Sequence, residues 1–134
     1  MYRNLFAAGA LMGVLAVAIG AFGAHGLENK ITDRRIGIFE TGVTYHFYHT
    51  FAIFLAAFLS LHFKAKIFQR AGWIFFIGIL LFSGSLYLLA TRALLGIDNW
   101  TSILGPITPI GGTLFMIGWG MLLWGIRGVR PLQK

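Results

Sequence analysis

Four apolar runs, Leu5 to Ala24, Val43 to Phe63, Ala71 to Thr91 and Ile107 to Ile126, take up most of this 134-residue chain. Each is close to the roughly 20 residues that a helix needs to cross a bilayer. Only 11% of the residues are charged and the mean hydropathy is +0.78, whereas soluble domains carry about 25% charged residues. The bilayer is therefore the expected solvent, and the expected fold is all-α, an integral membrane four-helix bundle forming a single domain over residues 1–134. The apolar core of the first run is too long for a signal peptide, in which that region spans about 7 to 15 residues, so the first run is expected to stay as a helix.

The charges give a direction. If the runs alternate across the membrane, one side holds Arg3, Lys64, Lys66, Arg70, Arg127, Arg130 and Lys134 and no acid. The other holds Lys30, Arg34, Arg35 and Arg92 together with Glu28, Asp33, Glu40 and Asp98. Excess Lys and Arg mark the cytoplasmic side, so both termini are expected there, in the inner membrane of a bacterial cell. Basic residues at the ends of apolar runs are explained by lipid headgroups, and no basic stripe with interleaved aromatics points to nucleic acid.

Several chemistries are excluded or unsupported by residue type. Without cysteine there is no disulfide, thiolate nucleophile or Cys-ligated metal. HExxH, a Ser/His/Asp arrangement, a phosphate loop, paired catalytic carboxylates and a dinucleotide fingerprint are all missing from the chain. The expectation is a protein that is not an enzyme, with no cofactor and no metal site.

Small residues suggest how the helices meet. In the first run Gly9, Gly13, Ala16, Gly20, Gly23 and Ala24 project onto an arc of about 100°, and Gly9 to Gly13 is a GxxxG pair, which lets helix backbones approach in lipid. In the fourth run Gly111, Gly118 and Gly125 recur at heptad spacing. Two uses compete for these faces, packing within the chain and packing between copies of it.

Polar residues gather toward the outer half. His25 sits between glycines at the end of the first run, Tyr45, His46 and His49 open the second, Ser83 and Tyr87 lie past the middle of the third, and Pro106 to Gly112 opens the fourth. Projection puts His49 between Tyr45 and His46, with Ala52 and Ala56 continuing that face inward, a pocket-like arrangement of polar groups over a floor of small residues. Ser83 and Tyr87 share a face and are placed to hydrogen-bond His49 or His25. Pro109 and the following glycines predict an irregular start to the fourth helix, whose free N-terminal amides would suit a carboxylate such as Glu40; on a continuous helix Glu40 projects opposite His49, so that contact requires a neighbouring helix or a break at Gly42. The candidate site is thus His25, Glu40, Tyr45, His49, Ser83 and Tyr87, while His46 is expected to be structural and His62 a headgroup residue. Ile36, Phe39 and Val43 at helical spacing make the first connector either a surface helix or an extension of the second span.

These motifs also carry a resemblance. Gly20 to Leu27, the Phe39 to His49 stretch with Glu40, Thr41, Tyr45 and His49, Phe82 to Tyr87, and Ile107 to Gly112 followed by Gly118 and Trp119 resemble the domain-of-unknown-function 423 family. The similarity runs nearly end to end. It implies a small bacterial multi-pass membrane protein, related to a small eukaryotic transmembrane protein, and brings no catalytic residues with it. Two functional readings remain: a structural or interaction component packing through Gly/Ala faces, and a transporter, channel subunit or small-ligand binder using the outer-half site. The expected partners are membrane lipids and a second copy of the chain, with the identity of any small ligand open.

Overall fold

The computed structural model describes Tyr2–Val129, so Arg130 and Lys134 of the basic side lie outside the described residues. Four helices follow one another up and down: α1 Tyr2–Gly26, α2 Asp33–Phe63, α3 Lys66–Leu95 and α4 Thr101–Gly128, with a single 3₁₀ turn over Asp98–Trp100. Each is long and apolar enough to cross a membrane. At 1.5 Å per residue the 31 residues of α2 reach about 46 Å, well beyond a hydrocarbon core of about 30 Å. The first connector is therefore an extension of the second helix.

Local chemistry sets the boundaries. Thr32 caps α2, its hydroxyl accepting from the Arg35 amide at 3.4 Å, and Asp33 adds negative charge in the first turn. Gly96, at φ +68°, ends α3 in the left-handed conformation that glycine adopts without strain, and the Ile97 amide closes onto the Arg92 carbonyl at 2.9 Å. Beside it, Arg92 and Asp98 form an ion pair at 3.3 Å.

The start of α4 corrects the sequence reading. The helix is already running at Thr101, and Pro106 and Pro109 lie inside it. Pro106 and Pro109 bring no amide to the carbonyls of Ser102 and Gly105, and the helix continues through both. The N-terminal amides thus belong to Thr101 and its neighbours, beside Asp98, and not to the Pro109 turn.

Small residues are consumed within the chain. Along the α3–α4 seam every seventh residue of α4 is a glycine facing a phenylalanine of α3: Gly111 meets Phe82, Gly118 meets Phe75 and Gly125 meets Phe68. A Cβ on Gly118 would lie 2.5 Å from the Phe75 ring, and one on Gly125 would lie 2.6 Å from Phe68. The seam is reciprocal, because Phe115 of α4 fills the notch at Gly78 of α3. On α1, Gly9 faces Ile53 and Phe54, Gly13 faces Thr50 and Gly20 faces Val43, all on α2. Close backbone approach replaces the hydrophobic force that lipid does not supply.

Neighbours in sequence are neighbours in space: α1 packs on α2, α2 on α3 and α3 on α4, and α1 also touches α3. The central core gathers Leu5, Met12, Ile53, Phe68, Phe75 and Phe115 from all four helices. Large apolar side chains such as Val14, Phe51, Met116 and Trp124 face outward, as a bilayer solvent allows.

Candidate functional site

The expected site is divided among three places. His25, in the last turn of α1, is exposed, and so is Glu40 on α2. Glu40 borders an open groove of about 290 Å³ between α1 and α2, with Gly20, Gly23, Phe39 and Thr44 along its walls. It does not reach α4. The carboxylate that was expected at the α4 N-terminus is on the opposite flank of the bundle, because Glu40 and His49 project from opposite faces of α2.

His49 faces the α3–α4 seam. Its Nδ1 lies 2.8 Å from the Tyr45 carbonyl, which can only accept, so Nδ1 carries the proton. Nε2 is then the acceptor, and the Trp119 indole N–H donates to it at 3.4 Å. The ring stacks on Phe115 with centroids 3.4 Å apart and planes 6° from parallel. Tyr45 lies toward the ring's edge at 5.9 Å, 6.3 Å from Phe115, and Phe75 approaches at 5.7 Å with its plane tilted by 45°. Both nitrogens are engaged, and one face is covered by Phe115. Ala52 and Ala56 are buried beneath, so the polar group over a small-residue floor is filled by aromatic side chains and is not a pocket.

Ser83 and Tyr87 belong to a different cluster. The Tyr87 hydroxyl lies 3.0 Å from Nδ1 of His46, not from His49 or His25. The reason is angular: three residues along α2 turn the side chain by about 60°, enough to take His46 to the seam with α1 and α3 while His49 meets α4. Tyr87 lies against Gly42, where a Cβ would come within 2.8 Å of its ring, and packs on Phe39 with centroids 4.9 Å apart. Ser83 is fully buried on the same face of α3, one turn before Tyr87. Two buried atoms in this cluster, His46 Nε2 and Ser83 Oγ, make no hydrogen bond.

The sequence reading places His46 beside His49 and takes it as structural, outside the candidate site. Phe115 is not singled out there, and Trp119 enters only as part of the family resemblance. A further bond joins α3 to α4, where Ser85 donates to the Phe82 carbonyl at 2.9 Å and lies 2.7 Å from the Thr108 hydroxyl. Among the described residues no three His, Asp or Glu side chains come close enough to hold a metal ion.

Four apolar helices with a tightly interlocked interior, and polar side chains tied mostly to backbone carbonyls of their own helices, define an all-α multi-pass membrane protein. The family described as "Protein of unknown function (DUF423)" matches residues 19–112, and the chain belongs to that family. It is 47% identical over 116 residues to the UPF0382 membrane protein YwdK of Bacillus subtilis, covering 86% of this chain and 89% of that one. It is 44% identical to the UPF0382 membrane protein SAB0533 of Staphylococcus aureus, over 86% of this chain and 88% of the relative. A UPF0382 membrane protein of Haemophilus influenzae is 43% identical over 87% of each chain. No solved structure matches the chain.

Proposed function

We propose that this protein is a non-catalytic structural or interaction component of the bacterial inner membrane, acting through its lipid-facing surfaces and not through a path across its own interior. The observation that carries this reading is His49. A histidine in a conduction path or substrate site needs a free nitrogen, and here Nδ1 is held by the Tyr45 carbonyl and Nε2 by the Trp119 indole, with Phe115 stacked on the ring. The glycines that raised the question of self-association, Gly9, Gly13, Gly20, Gly111 and Gly118, all face helices of the same chain. Contact with a second copy then falls to outward residues, among them those of α4 around Gly120, which has open space before it. Positive charge at the end holding Arg3, Lys64, Lys66, Arg70 and Arg127 favours cytoplasmic termini.

Reconstitution into liposomes loaded with a pH-sensitive dye tests the reading against a transporter or channel. Proton and alkali-cation flux should stay at the level of empty vesicles for the wild type and for His49→Ala. Flux above that level in the wild type, lost in His49→Ala, would overturn it. Native mass spectrometry from mild detergent gives the subunit number.

A further inference from the structure

Between α1 and α3 runs a narrow cleft of about 190 Å³, walled by Met12, Leu15 and Ile19 on one side and Ile79, Leu80 and Gly84 on the other, with His46 and Tyr87 at its back. Met12 to Ile19 covers about 11 Å along the helix axis. The cleft lies along the helices, as a lipid tail does, and opens toward the bilayer.

Its back wall is not apolar. His46 is 2% exposed and its Nε2 makes no hydrogen bond. Unpaired buried polar atoms are uncommon and call for an explanation such as a missing partner. We infer that the α1–α3 cleft is a binding site for a single-chain lipid ending in a hydroxyl, with the chain between Met12, Leu15 and Leu80 and the hydroxyl at His46.

The end group follows from the hydrogen-bond inventory. His46 Nδ1 and the Tyr87 hydroxyl satisfy one another in either direction, so Nε2 is a donor in one tautomer and an acceptor in the other. A hydroxyl answers both, whereas a carbonyl answers only the first. A charged headgroup finds no counter-ion, because Met12, Leu15, Ile19, Ile79, Leu80, Gly84 and Tyr87 bring no charge to the walls. Access is from the bilayer. Leu80 is half exposed at the rim, Gly84 leaves open space where a side chain would stand, and the same residues border a wider apolar hollow of about 400 Å³ toward α4. Met12, unbranched and flexible, is the wall residue best able to yield to a chain.

Photolabelling of the full chain in nanodiscs separates this site from general lipid contact. Two probes are compared, a sixteen-carbon alcohol with a diazirine near the hydroxyl and the same chain ending in a methyl group. The alcohol should label peptides containing Met12 to Ile19 and Ile79 to Tyr87 about fivefold more than the methyl-ended probe, the worth of one neutral hydrogen bond. Unlabelled hexadecanol should compete, and labelling at the outward face of α4 around Met116 and Trp124 should be equal for the two probes. In His46→Phe the ratio in the cleft should fall to about one. Gly84→Leu, placed in open space and independent of the polar cluster, should remove cleft labelling by both probes while leaving α4 labelling unchanged. Equal labelling of the cleft by the two wild-type probes overturns the inference, as does cleft labelling that survives Gly84→Leu.

Discussion

Replacing Gly111 by alanine should cost far more than the same change at Gly120, nine residues along the same helix. A Cβ on Gly111 would meet Phe82 at its own Cβ at 2.7 Å and at its Cα at 2.8 Å, with the backbone nitrogen closer still. Carbon pairs are comfortable at about 3.5 to 4.0 Å, so roughly 1 Å must be found. Two of the three atoms met are main chain, and no rotamer change moves them. The helices must part locally, and a gap of that size forfeits a quarter to a half of each affected contact, about 2 kcal/mol for one large buried side chain. Adding the neighbouring pair Phe115 and Gly78 gives about 2 to 4 kcal/mol, offset by up to about 1 kcal/mol of improved helix propensity. Gly120 faces open space, so Gly120→Ala should be neutral or stabilising by up to about 1 kcal/mol. Equilibrium unfolding in mixed micelles, titrated with dodecyl sulfate and followed by far-UV circular dichroism, measures both. The reasoning fails if the two variants lie within about 0.5 kcal/mol of each other, the size of an ordinary surface substitution. It makes a further distinction: Phe75→Leu should partly rescue Gly118→Ala, whose clash is with a ring, but Phe82→Ala should not rescue Gly111→Ala.

Other substitutions probe the polar clusters by the same unfolding assay. His49→Ala should lose about 2 to 4 kcal/mol, since it empties a stacked, buried position, while Trp119→Phe, which removes only a 3.4 Å bond, should lose about 0.5 to 1 kcal/mol. Tyr87→Phe should lose about 1 to 3 kcal/mol by leaving His46 Nδ1 without a partner; a loss no greater than that of Trp119→Phe would show that the His46–Tyr87 bond does little. His25→Ala and Glu40→Gln, both at exposed positions, should stay within about 0.5 kcal/mol of the wild type. Asp98→Asn should cost at most about 1 kcal/mol, and the difference should shrink with added salt, because the pair with Arg92 is largely exposed.

The helices were legible because length and apolarity are properties of single segments. Val43 to Phe63 reads as a span without knowledge of its neighbours, and the polarity of residues 33–42 obscured only how far α2 extends. The Pro109 boundary was misread because a proline marks a helix start only where no earlier turn forms, whereas a membrane-spanning helix tolerates proline inside it and α4 already runs from Thr101. The heptad of Gly111, Gly118 and Gly125 was visible, but its partners Phe82, Phe75 and Phe68 become a matched set only when α3 runs antiparallel beside α4. The site was least legible. Tyr45, His46 and His49 are contiguous in sequence, and their separation into two clusters depends on which helices flank α2, information that no periodicity in α2 contains.

The Gly–Phe seam between α3 and α4 also restricts motion. The rings of Phe75, Phe68 and Phe115 are pins seated at Gly118, Gly125 and Gly78, while Gly111 lets the backbone at Phe82 come close, and displacing one helix along the other by less than a full repeat would lift the rings out of their notches. The next seating lies about 10.5 Å away, a third of a hydrocarbon core about 30 Å thick. A piston stroke between these two helices therefore has no intermediate stop, and the hairpin travels as one piece.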